Sequence, residues 1–180
     1  MLVLRRPATT DLQRLAAEQR DAPLTYAAVG ATLAGRPPEG YRFEEVERCI
    51  GSDFSRARGA LANWQPHRGA GIAHWADGDV APGTTVALAA PLPVGYAVAA
   101  CRIVAVVDDA DRFGFAYGTL PVHPESGEEL FTVEQRGDGV WFRIAVFWRP
   151  QELLARIGYP VARILQSRAT SRYLDAMAQG

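Results

Sequence analysis

The chain has 180 residues, of which 48% are hydrophobic and 22% are charged, and its formal net charge is −1. This length and composition are typical of one globular domain, and they exclude disordered, collagen-like and coiled-coil chains. A near-neutral charge provides no basic field for a phosphate backbone, so the composition argues against nucleic acid as a partner.

Two residue types limit the chemistry further. All 19 basic residues are arginines, which excludes reactions that need a lysine amine, such as Schiff-base formation. The two cysteines, Cys49 and Cys101, are far apart and predict neither a disulfide framework nor a zinc site.

No apolar run is long enough to span a membrane, and no signal-peptide pattern precedes Pro7. We therefore expect a cytoplasmic protein without a membrane span, and no cofactor or metal is indicated.

The first predicted element is a short amphipathic helix that ends near residue 19. Thr9 or Thr10 is its expected N-cap, Asp11 lies in its first turn, and Leu12 and Leu15 share one face. The helix resembles an addition to the main fold rather than a part of it.

Two strands and a second helix follow this addition. The pattern predicts a weak strand over 24–33, a turn rich in glycine and proline, and a second strand over 41–50. Ser52 is the expected cap of an amphipathic helix that ends before Pro66. We interpret the chain as a single domain, 1–180.

The turn at 35–40 divides this domain. Residues 1–38 then form an N-terminal appendage, and residues 39–180 form the main body.

Between residues 67 and 149, the hydrophobic pattern changes to a period of two with frequent turn residues. Six strands fit between these turns, and the connections are too short for crossover helices, so the sheet should be antiparallel. Residues 151–179 are helical in pattern, with a long helix expected from Pro160. The predicted class is α+β: a helix-grip-like curved antiparallel sheet of about six or seven strands around a long C-terminal helix.

Several motifs in this order resemble domain-of-unknown-function family 1990, found in bacteria and plants. The resemblance implies a compact domain and, by element order, a distant similarity to the START-like and pollen-allergen-like helix-grip proteins, which bind ligands. It implies no catalytic residues. The motifs that carry it are Thr25-Tyr26, 29–32, Gly40-Tyr41-Arg42, 101–104, 113–121, 123–129, Arg149-Pro150, 154–163 and Gln166.

The hairpin around Gly137-Asp138-Gly139 has apolar residues on both faces, so both faces need cover, from the N-terminal segment or from a second subunit in a homodimer. If the turn is centred on Asp138, Arg143 shares a face with Phe131, Val133 and Trp141. A buried guanidinium needs a partner, which Glu129, another carboxylate or an anionic ligand head group could provide.

The polar segment 123–129 brings one imidazole and three carboxylates close together. These groups suit general acid–base catalysis if they meet at a cavity, although a hydrophilic strand connection explains the same residues. The catalytic candidates are Tyr117, His123 and Glu129. A metal site built from His67, His74 and His123 has no supporting ligand spacing.

Three hypotheses follow. The protein binds an apolar or amphipathic small molecule in a mostly apolar cavity of several hundred Å³ between the sheet and the C-terminal helix. Alternatively, it is a small cavity enzyme of the cyclase or isomerase type, or a non-catalytic oligomerising interaction module. The residues expected to line a ligand site are Arg102, Phe115, Tyr117, Phe131, Trp141 and Arg143.

Overall fold

A computed structural model of the protein describes residues 1–151 and 170–178. The described part of the chain contains eight strands and four helical segments. They are β1 (Leu2–Val3), α1 (Thr9–Gln19), β2 (Arg42–Gly51), α2 (Phe54–Ala62), α3 (Gln65–Gly69), β3 (Ala73–Ala76), β4 (Thr85–Pro91), β5 (Tyr96–Asp108), β6 (Arg112–Thr119), β7 (Glu125–Arg136), β8 (Gly139–Pro150) and α4 (170–178).

All of these strands join one curved antiparallel sheet. Its order is β2-β8-β7-β6-β5-β4-β3, and the short β1 pairs with β5. The six strands β3 to β8 are those predicted between residues 67 and 149, and the α+β helix-grip architecture is confirmed. The predicted long helix from Pro160 begins outside the described residues. Within them, no helix is both long enough and apolar enough to cross a membrane.

The concave face of the sheet carries the main hydrophobic core, closed by α2, α3 and α4. Leu61 of α2 and Met177 of α4 are almost fully buried there, against rings such as Phe131 of β7. The cap of α2 is Asp53 rather than Ser52, because the Asp53 carboxylate accepts a hydrogen bond of 2.9 Å from the backbone N–H of Arg56.

The convex face is covered by α1 and by the segment 24–36. Leu12, Leu15 and Ala16 of α1 pack against small residues of β4 and β5, including Ala87. These alanines leave room for a helix to lie close to the sheet. The apolar residues on the second face of the sheet are thus covered by the N-terminal part of the same chain.

The strand predicted over 24–33 is wrong, because the structure has turns there. Several backbone groups of the segment bond locally, as when the Ala34 N–H donates to the Gly30 carbonyl at 3.1 Å. Others bond to the buried Glu128 carboxylate, at 2.7 Å from the Gly30 N–H and 3.0 Å from the Thr32 N–H. Leu24 and Leu33 of the segment pack against separate apolar clusters of the convex face.

The predicted register of the β7–β8 hairpin is also wrong, by one residue. Arg136 pairs with Gly139, so the turn has two residues, Gly137 and Asp138, and is not centred on Asp138. The φ of +57° at Gly137 suits such a tight hairpin turn. A shift of one residue moves a side chain to the opposite face of the sheet, so the predicted grouping of side chains across this hairpin fails.

Candidate functional site

A chain of hydrogen bonds crosses the buried end of the concave face. The Tyr117 hydroxyl donates to Oε2 of Glu129 at 2.7 Å, and Nε2 of His67 lies 3.1 Å from the same hydroxyl. When Glu129 is ionised, the Tyr117 proton points to the carboxylate, so His67 Nε2 must carry the proton that it shares with Tyr117. The Nδ1 atom of His67 has no hydrogen-bond partner among the described residues.

Strand register and a short helix place these three groups. Tyr117 of β6 lies directly opposite Glu129 of β7 in the antiparallel ladder, so the two side chains share the concave face. His67 reaches them from α3, which begins after Trp64, a residue in the left-handed conformation with a φ of 59°. The Trp64 ring also contacts the His67 ring, at 4.9 Å between centroids.

A cavity of about 100 Å³ lies next to this chain, between β6–β8 and α4. The wall is mixed, because carboxyl groups and hydroxyls alternate with aromatic rings. The described residues that line it are Tyr117, Thr119, His123, Glu125, Gly127, Glu128, Glu129, Val146, Phe147, Trp148, Thr170 and Tyr173. The volume of this cavity is below the several hundred Å³ expected.

Two carboxyl groups in the cavity hold their protons unusually well. Burial raises the pKa of Glu129 to about 7, although the hydrogen bond from Tyr117 opposes this shift. Burial, with the nearby charges of Glu129 and Glu44, also raises the pKa of Glu125 to about 7. A carboxyl group with a pKa near 7 can both accept and return a proton at neutral pH, which is what general acid–base catalysis needs.

The two histidines near the site remain neutral. Burial lowers the pKa of His67 to about 3, and it lowers the pKa of His123 to about 4. Nδ1 of His123 lies 3.0 Å from both the backbone nitrogen and the backbone carbonyl oxygen of Glu125, which hold the ring in place. Among the described residues, no group of three or more His, Cys, Asp or Glu residues could hold a metal ion.

The structure brings together part of the predicted site. Tyr117, Glu129 and His123 all line the cavity. Phe115 and Phe131 are fully buried on the concave face, where the Phe131 ring lies 5.6 Å from the Tyr117 ring. These five residues form one side of the core around the cavity.

The other predicted ligand residues lie elsewhere. Arg143 pairs across the ladder with Thr132, on the convex face, and donates a hydrogen bond of 2.7 Å to Glu45. The expected sharing of a face with Phe131 is therefore wrong, because of the two-residue turn. Of the partners expected for Arg143, the structure shows another carboxylate, that of Glu45, and not Glu129. Trp141 moves to the convex face for the same reason.

Arg102 is a structural residue of the convex face. Its guanidinium donates to the Ala22 carbonyl at 2.9 Å and to the Gln19 carbonyl at 3.0 Å. It therefore binds carbonyl groups at the end of α1 and just beyond it, where a cation is favourable.

Sequence reasoning missed three contributions to the site. It treated His67 as an ordinary histidine, and it did not single out Tyr173 of α4 or Trp148 of β8. Both aromatic residues line the cavity. A period-two reading in the correct register would have placed Trp148 on the concave face, whereas nothing in the local sequence distinguishes His67 or Tyr173 from core residues.

Comparison with known proteins identifies both the family and the fold. Residues 25–176 match the family model described as "Domain of unknown function (DUF1990)". A UPF0548 protein of Deinococcus radiodurans is 31% identical over 192 residues, which cover 96% of this chain and 95% of that protein.

Two solved structures share the fold at low sequence identity. The crystal structure of Ara h 8.0201 has a TM-score of 0.55 at 14% identity and covers 78% of this chain and 97% of its own. A START superfamily protein from Mycobacterium smegmatis has a TM-score of 0.53 at 9% identity, with 78% of this chain and 96% of its own covered. The chain belongs to the DUF1990 family, and its fold is the helix-grip fold of START-like proteins.

Proposed function

We propose that the protein binds a small amphipathic molecule in the cavity between the sheet and α4. The polar group of this molecule lies at Glu125 and Glu129, and its apolar part lies against the rings of Trp148 and Tyr173. The cavity that combines these groups carries the proposal. The similarity to START-like folds supports it as an analogy of architecture.

The volume limits the part of the ligand that is enclosed. A dry cavity of about 150 Å³ holds a benzene ring, so a cavity of about 100 Å³ suits a head group of a few heavy atoms. A head group that donates hydrogen bonds fits best, because carboxylate oxygens accept them.

Native mass spectrometry of freshly purified protein tests this proposal. We expect a retained small molecule that is lost in Val146→Trp, because Val146 lines the cavity and an indole would fill it. The matched control is Val29→Trp, since Val29 is 52% exposed and lies outside the cavity. Equal ligand retention in both variants, or no retained molecule in the wild type, would contradict the proposal.

A second candidate is a cavity enzyme of the isomerase or cyclase type. Glu129 favours it, because a carboxyl group with a pKa of about 7 faces the cavity beside the Tyr117 hydroxyl. In such a reaction, Glu129 removes a proton from an acidic C–H group of the substrate and returns it at another position. Tyr117 would hold the carboxyl group in place.

Solvent deuterium separates the two candidates. If Glu129 acts as a base, the retained molecule gains deuterium at carbon when the protein stands in D₂O, and Glu129→Gln abolishes this gain. A binding protein shows no such exchange. Tyr117→Phe would reduce the exchange less than Glu129→Gln, because it leaves the carboxyl group present.

A further inference from the structure

An unusual group of exposed apolar side chains lies at one end of the sheet. Among the described residues, six large hydrophobic side chains are exposed, and four of them belong to this end. They are Met1 (57% exposed), Leu2 (65%), Leu4 (83%) and Val94 (76%), and they form what we term the apolar tip.

Backbone contacts hold the apolar tip together. Val3 pairs with Tyr96, and the Met1 amino group donates a hydrogen bond of 2.8 Å to the Val98 carbonyl. The β4–β5 turn meets this segment closely, because a Cβ atom on Gly95 would collide with the carbonyl oxygen of Val3. Leu4 and Val94 therefore occupy adjacent positions on a fixed backbone.

The charged side chains within the segments of the apolar tip have one sign. Arg5 and Arg6 follow Leu4 directly, and both are exposed. No acidic residue occurs in 1–10 or in 88–99, the stretches that contain the apolar tip. An exposed apolar group with adjacent arginines is typical of a surface that enters the interfacial layer of an anionic membrane.

We propose that the apolar tip docks the protein on an anionic lipid surface. Leu2, Leu4 and Val94 enter the boundary between head groups and acyl chains, and Arg5 and Arg6 contact the lipid phosphates. The proposal does not depend on the identity of any ligand, or on whether the cavity binds one.

The topology gives this docking a consequence. In an antiparallel sheet, the β4–β5 and β6–β7 connections lie at the same end. The β6–β7 connection contributes His123 to the cavity wall, and its Val122 carbonyl lies 3.4 Å from the Met1 amino group. Docking therefore holds the end of the sheet that contains the cavity next to the lipid.

Co-sedimentation of the full chain with vesicles tests the docking. We expect the wild type to bind vesicles made of equal parts phosphatidylglycerol and phosphatidylcholine, and to bind pure phosphatidylcholine about tenfold more weakly. The double variant Leu4→Ser/Val94→Ser should lower the binding to the mixed vesicles about tenfold or more. Val29→Ser, at an exposed valine outside the apolar tip, should not change it.

The arginines are tested separately from the apolar side chains. Arg5→Gln/Arg6→Gln should lower binding to the mixed vesicles about tenfold at low salt and have little effect at about 1 M salt, where charges are screened within about 3 Å. Arg36→Gln is the matched control, since Arg36 is exposed on another part of the surface. Equal binding of the wild type to both kinds of vesicle would overturn the anionic part of the proposal.

A fluorescent probe gives a reading that does not depend on comparing variant affinities. In a Cys49→Ser background, an environment-sensitive dye on Leu4→Cys should shift to shorter wavelength with the mixed vesicles, and the same dye on Val29→Cys should not. Absence of a shift at Leu4→Cys would overturn the docking. Sedimentation of the protein without lipid tests a different occupant of the apolar tip. If the wild type is a dimer that does not bind vesicles, and Leu4→Ser/Val94→Ser converts it to a monomer, the docking proposal is overturned. The apolar tip is then an interface between copies of the chain.

Discussion

The two faces of the sheet both bury residues of β7, but they differ in where they place the charges of this strand. On β7, Leu130 faces the convex side and Phe131 the concave side, and both are fully buried. The convex side also buries Glu128, which accepts hydrogen bonds from Tyr26, Gly30 and Thr32. The concave side has Glu129, which opens on a cavity and has one donor among the described residues.

Neighbouring glutamates on one strand thus have different roles. Glu128 accepts from four donor groups, so its lone pairs are occupied and it fixes the N-terminal segment on the sheet. Glu129 accepts from Tyr117 alone among the described residues. Within that part of the chain, the number of accepted hydrogen bonds distinguishes the structural carboxylate from the candidate functional one.

Removing the Glu128 carboxylate should have the largest effect. We expect Glu128→Ala to lower the free energy of unfolding by about 4 kcal/mol, because it leaves the buried Tyr26 hydroxyl, the buried Thr32 N–H and hydroxyl, and the half-buried Gly30 N–H without this partner. Urea denaturation measures this change. Glu39→Ala, at an exposed glutamate, should stay within about 0.5 kcal/mol of the wild type. A loss at Glu128 as small as that of the control would show that the contacts of the segment do not stabilise the fold.

Truncating Leu130 and Phe131, the neighbouring apolar residues of β7, tests whether both faces of the sheet are tightly packed. Phe131→Ala should cost about 4 kcal/mol and Leu130→Ala about 3 kcal/mol, because each creates a cavity at a fully buried site. Equilibrium unfolding of both variants measures the two losses. A negligible loss at Leu130 would mean that the cover of the convex face is loose, since a site that can collapse loses less stability.

More of the fold than of the candidate site could be predicted from the sequence. Seven strands (β2 and the six from β3 to β8), two helices and the antiparallel arrangement follow from periodicity and turn residues, which are local signals. The face of the sheet that each β8 side chain occupies depends on whether the turn before β8 has two residues or three. The Gly137-Asp138-Gly139 sequence allows both. That ambiguity placed Arg143 and Trp141 on the wrong face.

The chain of hydrogen bonds from His67 to Glu129 could not be predicted, because it depends on tertiary contacts that leave no local sequence pattern. His67 and Tyr117 are 50 residues apart and meet only because α3 folds over β6. Likewise, the apolar residues of 24–33 alternate as in a strand, but the donors of that segment bond to Glu128, about a hundred residues later in the chain. Partners at such separations are not readable from spacing.

The titratable groups of the concave side make stability depend on pH in two opposite directions. Glu129 has a folded-state pKa of about 7, above its usual 4.5, so the unfolded chain loses its proton first and stability falls as pH rises through this window. His67 has a folded-state pKa of about 3, below its usual 6.5, so the unfolded chain gains a proton first and stability falls as pH falls below 6.5.

Glu129→Gln isolates the carboxyl contribution. Relative to the wild type, the variant should gain about 2 kcal/mol in the free energy of unfolding as pH rises from 4.5 to 7, because glutamine has no proton to lose. Urea denaturation at several pH values gives this difference. Glu18→Gln, at an exposed glutamate of α1, is the matched control variant. A pH-independent difference for Glu129→Gln would show that its folded-state pKa is close to the usual value.

The smallest effect is expected at Arg143, on the convex face. Its partner Glu45 is 40% exposed, and the hydrogen bond between them lowers the pKa of Glu45 below its usual 4.5. Removing the guanidinium leaves a carboxylate that water can still solvate, so Arg143→Leu should cost only about 0.5 kcal/mol at neutral pH. That cost should vanish in acid as Glu45 is protonated, because a lowered carboxyl pKa contributes stability only above it.

A double-mutant cycle with Glu45→Gln checks the pairing, and native mass spectrometry checks the site. The coupling between Arg143→Leu and Glu45→Gln should equal most of the loss in the single variant. Ligand retention should be unchanged in Arg143→Leu, because Arg143 lies on the face opposite Glu129 and Phe131. A stable Arg143→Leu protein without its ligand would instead require a ligand that reaches the convex face, and would move the binding site away from the cavity.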